Sequence, residues 1–455
     1  MSGGTGGGMR LRALVQFHED PALLSWWTAR VAPVVAWLDA PRRRLLLGLA
    51  ALAFAVERID DRSEGPAWAV WLAAPILLGL CWGVWRAANE MRRLPSMVRS
   101  RPQVFLHALL ALGFVAYWST SAGPARRVLE PIVPMLPFVV WRLGFLLKTG
   151  QRGKLVGTRL TDHLVYLFPA WGGTNTPYGK GLDYLAGVEA RTPEAFARSQ
   201  LAGVRLLLLS LVWRGVIEVM AAAVYADPES RLTRHLGSWT LGVPRLPDLV
   251  QHPGSAPLGL VWVSLYLELV WVTLRLAAKG HVIIGVLRLL GFNAFRNTYK
   301  PLLAESVVEF WNRDYDYFKE LLAEFFFFPT FVRRFRHHPR LRIAASTFAA
   351  AFVGNMYYHT IEQPAFLNGS VAGTWAVMHS RLLYCLLLTC GITVSMLREQ
   401  RRRGGPAALA GGPARRLRRI AGVWTFFALI HVWAIPGRVP DIFGRTRFFL
   451  SLFGW

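Results

Sequence analysis

Apolar segments about as long as a bilayer crossing recur from one end of this chain to the other. A hydrocarbon core of about 30 Å takes roughly 20 apolar residues per straight helix. Segments of that kind run over Trp68–Trp85, Val104–Ser119, Ile132–Leu147, Leu201–Tyr225, Leu258–Leu276, Ala376–Leu397 and Ala421–Ile435. Leu45–Val56 is shorter, and polar groups interrupt Ile343–Tyr358. Leu160–Trp171 and Val282–Phe292 are too short to span unaided and read as re-entrant or buried helices. The pattern predicts an all-α polytopic integral membrane protein with about 9–11 transmembrane or re-entrant helices. Composition agrees, since 53% of the 455 residues are hydrophobic and only 17% are charged. The 19 tryptophans suit indole rings anchored at membrane interfaces.

The formal net charge of +25 raises the question of nucleic acid. Its distribution answers it, because the arginines sit in short clusters between apolar segments and no separate polar domain carries them. Arg42-Arg43-Arg44 precedes the first span, Glu57, Asp60, Asp61 and Glu64 fill the next loop, and Arg86, Arg92, Arg93, Arg99 and Arg101 follow the second. This asymmetry predicts a cytoplasmic N-terminus. It also makes the clusters Arg333–Arg342 and Arg398–Arg419 cytoplasmic, the second in a Gly-Pro-rich loop. Residues 1–44 read as a cytoplasmic segment and 45–455 as a single membrane-embedded domain of a multi-pass inner (plasma) membrane protein. The glycine-rich Met1–Gly8 is followed by no segment resembling a cleavable signal, so insertion is expected to rely on the internal apolar segments.

Few residues are placed to carry chemistry. His359 follows the apolar run Ala349-Ala350-Ala351-Phe352-Val353, and an ionisable group at membrane depth is costly unless it meets a partner or a water-filled cavity. Glu268 lies within another apolar segment, with Arg275 or Lys279 as expected partners. His379 and His431 read as core histidines, and His337-His338 among arginines as a solvated basic face rather than a metal site. Cys81, Cys385 and Cys390 all fall in apolar stretches, with neither disulfide nor metal spacing. Gly-x-Ser-x-Gly, phosphate-loop and His-Glu-x-x-His patterns are absent.

Four motifs gather in one stretch. They are Gly285-Val286-Leu287-Arg288-Leu289-Leu290-Gly291-Phe292, then Asn297-Thr298-Tyr299-Lys300-Pro301, then Ser306 with Glu309-Phe310-Trp311-Asn312-Arg313, and finally Gly354-Asn355-Met356-Tyr357-Tyr358-His359. In order and spacing they resemble the membrane-bound O-acyltransferase (MBOAT) family, above all its bacterial polysaccharide O-acetylase and D-alanyl-transfer branch. The match is closest over Leu258–Glu362, with a looser one from Leu160, where Tyr166-Leu167-Phe168-Pro169 and Thr176-Pro177 resemble the family's Phe-Pro…Gly-Pro loop. Two departures stand out. Asp314 and Tyr315 occupy the places of a Trp-His pair, and Thr360 replaces a glycine. Trp311 and Tyr315 would share a helical face, with Asn312 about 100° away.

The resemblance implies an acyltransferase whose tunnel holds the histidine near its middle. His359 would be the general base, and Asn312, Asp314 and Tyr315 are the candidates for the second polar catalytic residue. The donor would be acyl-CoA or an acyl carrier thioester, with no tightly bound cofactor. The acceptor would be a hydroxyl of an envelope glycan or lipid, and an extracytoplasmic protein is a possible partner. Two other readings fit the same hydropathy: a catalytically inactive scaffold, favoured by the Asp314-Tyr315 departure, and a polytopic transporter using Glu268 and His359.

Overall fold

The computed structural model describes residues 16–39, 48, 67–120, 123–130, 132–133, 136–155, 159–160, 163, 184, 187–236, 239–402, 412–435 and 441–455. The expected span Leu45–Val56, the charged residues Arg42–Arg44 and Glu57–Glu64, most of Leu160–Trp171, and the Tyr166–Pro169 and Thr176-Pro177 motifs lie outside them. So does the Gly-Pro-rich middle of Arg398–Arg419.

Among the described residues the fold is helical, and its one β-bridge joins Glu189 to Phe292. Among the described residues four helices are long and apolar enough to cross a membrane: Pro102–Ser119, Pro193–Val224, Leu258–Leu289 and Val371–Arg401. The protein is an all-α polytopic membrane protein. Its surface says the same, because helices that bury one apolar face expose another. Pro102–Ser119 buries Leu106, Leu110, Phe114 and Tyr117 while Leu109, Leu112 and Val115 stay outside. A helix that is apolar all round suits lipid, not water.

Contacts divide the chain into two compact units, Met1–Leu209 with Gly280–Arg296, and Ser210–Lys279 with Asn297–Trp455. The first contains α1 (Pro21–Asp39), α2 (Ala67–Asn89), α3 (Pro102–Ser119) and α4 (Leu136–Gln151). It also contains the start of α5 (Pro193–Val219) and the end of α6 (Leu258–Leu289). These last two cross at Gly203 and Gly285, where a β-carbon on Gly203 would come within 2.8 Å of the Gly285 carbonyl oxygen. Small residues let helix backbones approach this closely in membranes. Ser199 and Gln200 donate to the end carbonyls of Arg288 and Leu289 at 2.8 and 3.1 Å. Gly291 then ends α6 at φ 88°, in the left-handed cap that glycine adopts at least cost.

Here sequence and structure part. Val282–Phe292 is not a separate re-entrant segment, since its helical part continues the Leu258–Leu276 span in one 32-residue helix. Ala277-Ala278-Lys279-Gly280-His281 holds no proline, and one glycine costs only about 1 kcal/mol of helix propensity.

The second unit carries the other three motifs, the Gly285–Phe292 motif lying in the first. It is built from α7 (Val307–Asp314), α8 (Asp316–Leu322), α9 (Phe328–Arg333), α10 (Pro339–Thr347), α11 (Asn355–Ile361), α12 (Val371–Arg402), α13 (Pro413–His431) and α14 (Ile442–Ser451). A π-helical turn, Ala323–Phe327, joins α8 to α9, and another, Phe348–Gly354, joins α10 to α11. The core gathers Leu265 and Leu269 from α6, Phe310, Leu388, Phe427 and Phe448. Phe310 stacks on Phe427 with ring centres 3.9 Å apart. The buried Arg445 donates to the carbonyls of Val432 and Ile435 at 3.2 and 2.8 Å, satisfying acceptors beyond the end of α13.

Candidate active site

Local sequence first explains why a helix breaks in the middle of the second motif. Ser306 caps α7 by accepting from the Glu309 N–H at 3.2 Å, and Glu309 pairs with Arg313 one turn on. The helix stops at Asp314, and Tyr315 is non-helical at φ −133°, ψ 72°. The expected Trp311–Tyr315 face therefore does not form. The cause lies in the connector motif, which supplies the bonds a continuous helix would have supplied. The Tyr299 N–H donates to the Arg313 carbonyl at 2.7 Å and the Thr298 hydroxyl to the Asp314 carbonyl at 3.0 Å. The Asp316 and Tyr317 N–H groups donate to the carbonyl and side-chain oxygens of Asn297 at 3.0 and 3.2 Å. Asn297 and Thr298 are buried, so this brace is shielded from water.

The break turns the stretch toward α11 and α12. Phe318 links the parts, its ring 6.3 Å from that of Tyr315, 4.8 Å from Tyr358 and 5.9 Å from His359. His359, half-buried, places Nδ1 2.7 Å from Oε1 of Glu362, one turn further along. With the Nδ1 proton donated to that carboxylate, Nε2 keeps a lone pair able to take a proton. Oδ1 of Asp314 and Oδ1 of Asn355 are buried and have no hydrogen-bond partner in the protein. Each leaves an acceptor to be satisfied by a water or a bound group.

Arg381 comes from the facing helix α12. It is the one Lys, Arg, Asp or Glu between Val371 and Leu397, and it is half-buried. Its charge acts on His359, Tyr315 and Tyr384, and that of Glu362 acts on His359 and Tyr315. Glu362 is committed to His359, and no carboxylate is within ion-pair distance of Arg381 among the described residues. An arginine at membrane depth without its own counter-charge is costly to keep.

Of the expected residues, then, Asp314, Tyr315 and His359 come together, and Asn312 does not. Two positions before Asp314, Asn312 points the other way round the helix and is exposed. Glu362, Arg381 and Tyr384 were not foreseen. The signals existed: Glu362 stands three residues after His359, the helical spacing for a pair, and Arg381 is a lone charge in an apolar run. Glu268 is correctly seen as paired, but not with Arg275 or Lys279 on its own helix. Arg245 grips it with two bonds of 3.0 and 2.9 Å and lies over the rings of Trp271 and Tyr225 at 4.4 and 4.6 Å. The planar fork of arginine suits such a two-point hold, and the loop before Leu246 brings it there. His379 is structural: Nδ1 donates to the Trp375 carbonyl at 2.9 Å and Nε2 accepts from the Ile442 N–H at 3.1 Å. Cys81 and Cys385 are buried, whereas Cys390 is exposed on the outer face of α12.

No family model matches this chain, and no curated protein matches it.

Proposed function

We propose that this protein is a membrane-bound O-acyltransferase, with His359 as general base and a thioester as acyl donor. The observation that carries the reading is the His359–Glu362 pair inside a cluster that also holds Tyr315, Arg381 and Tyr384. The order of motifs leading to that histidine supports the same reading.

In this mechanism Nε2 of His359 takes the proton of the acceptor hydroxyl as its oxygen attacks the thioester carbonyl. A carbon–oxygen bond forms, and negative charge collects on the former carbonyl oxygen. Arg381 and the Tyr315 hydroxyl are the charge and donor close enough to the cluster to stabilise it. Collapse breaks the carbon–sulfur bond, and the departing thiolate takes the proton back from Nε2. Glu362 holds the imidazole in the useful tautomer and stabilises its transient cation. Among apolar helices, water is kept from competing as acceptor. The acceptor would be an envelope glycan or lipid, reached through an inner (plasma) membrane site, with an extracytoplasmic protein as a possible partner.

Membranes holding equal amounts of wild-type protein or His359→Ala, supplied with radiolabelled acetyl-CoA, test this. Label should enter membrane or glycan product with the wild type and not with the variant. Equal labelling would refute the role of His359 and favour a scaffold.

A further inference from the structure

The far end of the same helix pair carries a feature that acyl transfer does not use. His337, His338 and Arg340, at the start of α10, and Gln400 and Arg401, at the end of α12, line an open cavity of about 760 Å³. These side chains are exposed, and Arg333, Arg334, Arg336 and Arg398 lie close by in sequence. Among the described residues no carboxylate lines the cavity. The nearest acid in sequence, Glu399, accepts from the Ser306 hydroxyl at 2.9 Å. Several arginines elsewhere in this unit are committed to partners. Arg416 and Arg419 pair with Glu305, Arg313 with Glu309, and Arg342 donates to the Phe331 carbonyl at 2.5 Å. Arg340 and Arg401 have no such partner among the described residues.

A concave site walled by donors and positive charge calls for a ligand rich in acceptor oxygens. Arginines contributed by two different helices suit a phosphate, whose oxygens accept from guanidinium forks. We propose that this cavity is a binding site for a phosphate ester. Two sources share that chemistry: the headgroup of an anionic phospholipid from the surrounding bilayer, and the phosphates of a soluble nucleotide. The cavity is at the opposite end of the α10–α11 helix from His359, roughly 30 Å away at 1.5 Å per residue, so it is a separate site. The inference does not depend on acyl transfer, and its test reads binding alone.

The full-length protein in neutral detergent would be titrated with phosphatidylglycerol and, separately, with adenosine 3′,5′-bisphosphate, and binding followed by native mass spectrometry. At least one probe should bind saturably, and which one identifies the source. Arg340→Gln/Arg401→Gln should weaken that binding about tenfold or more, as loss of two charge-assisted contacts requires. A control pair on the exposed start of α13, Arg415→Gln/Arg418→Gln, removes the same charge outside the cavity and should leave affinity within about twofold. All four side chains are exposed, and unchanged thermal melting would confirm that both variants fold. Failure of both probes to bind, or equal weakening by both variant pairs, would overturn the proposal.

Discussion

Glu362 has a role that can be separated from that of His359. As the partner of Nδ1 it orients the ring and does not touch the reacting atoms, so Glu362→Gln should lower kcat and spare KM. A loss of roughly a hundredfold would match a misdirected general base, and an unchanged kcat would leave the pair without a catalytic role. His18 offers a pH effect far from this site. Its Nε2 lies 2.9 Å from a guanidinium nitrogen of Arg205, so the ring must accept there and stay neutral. Burial first, and then the Arg205 charge, hold it below the ordinary histidine value of 6.5. Stability from this contact is complete above 6.5 and is lost as pH falls from there through the lowered folded value. Hydrogen exchange over residues 17–39 should therefore quicken between pH 7.5 and 5.5, and His18→Gln should remove that dependence. Equal acceleration in both proteins would show that another group is responsible.

At the scale of elements, what could be read in the sequence depended on how local its causes were. Apolar spans announce themselves, because every residue in them contributes, and helices cover most of those expected within the described residues. The break at Tyr315 was hidden, because it is made by Asn297, Thr298 and Tyr299 from outside the helix. Arg245 was hidden for the same reason, standing 23 residues from Glu268 in the chain. His359 was legible as a lone histidine after an apolar run, whereas its surroundings needed α12. Two substitutions test the elements that aim the site. Asn297→Ala strips the side-chain acceptor from the Tyr317 N–H, and should cost about 1–3 kcal/mol and lower activity further than stability alone explains. Gly354 packs against Phe326, whose ring carbon would lie 2.7 Å from an added β-carbon. Gly354→Ala should then lower stability by about 1–3 kcal/mol in thermal melting, and Phe326→Ala should recover part of that loss in the double variant. Strict additivity of the two changes would contradict the packing account.

For the whole molecule, the direction of the helix from Pro339 to Ile361 connects charge to topology. At 1.5 Å per residue it is roughly 35 Å long, comparable to the thickness of a bilayer, with the basic clusters at one end and His359 near the other. If arginine-rich ends are cytoplasmic, His359 lies toward the far leaflet, beyond the middle implied by the family resemblance. In a background with Cys81, Cys385 and Cys390 replaced, Ser370→Cys should react with an impermeant thiol reagent in intact cells. His337→Cys should react only after permeabilisation, and the reverse pattern would invert the proposed topology. That placement would bring a cytoplasmic thioester to an acceptor beyond the membrane, the arrangement envelope acylation needs.

The most direct test of acyl transfer at His359 is mass spectrometry of envelope glycans and lipids from three cell lines: wild type, deletion, and deletion complemented with His359→Ala at matched protein level. One acyl mass should be lost in the deletion and remain lost in the complemented line, which would reveal the acyl group and its acceptor together. Restoration of the wild-type profile by His359→Ala would contradict the account, because the protein would then be needed and its histidine would not.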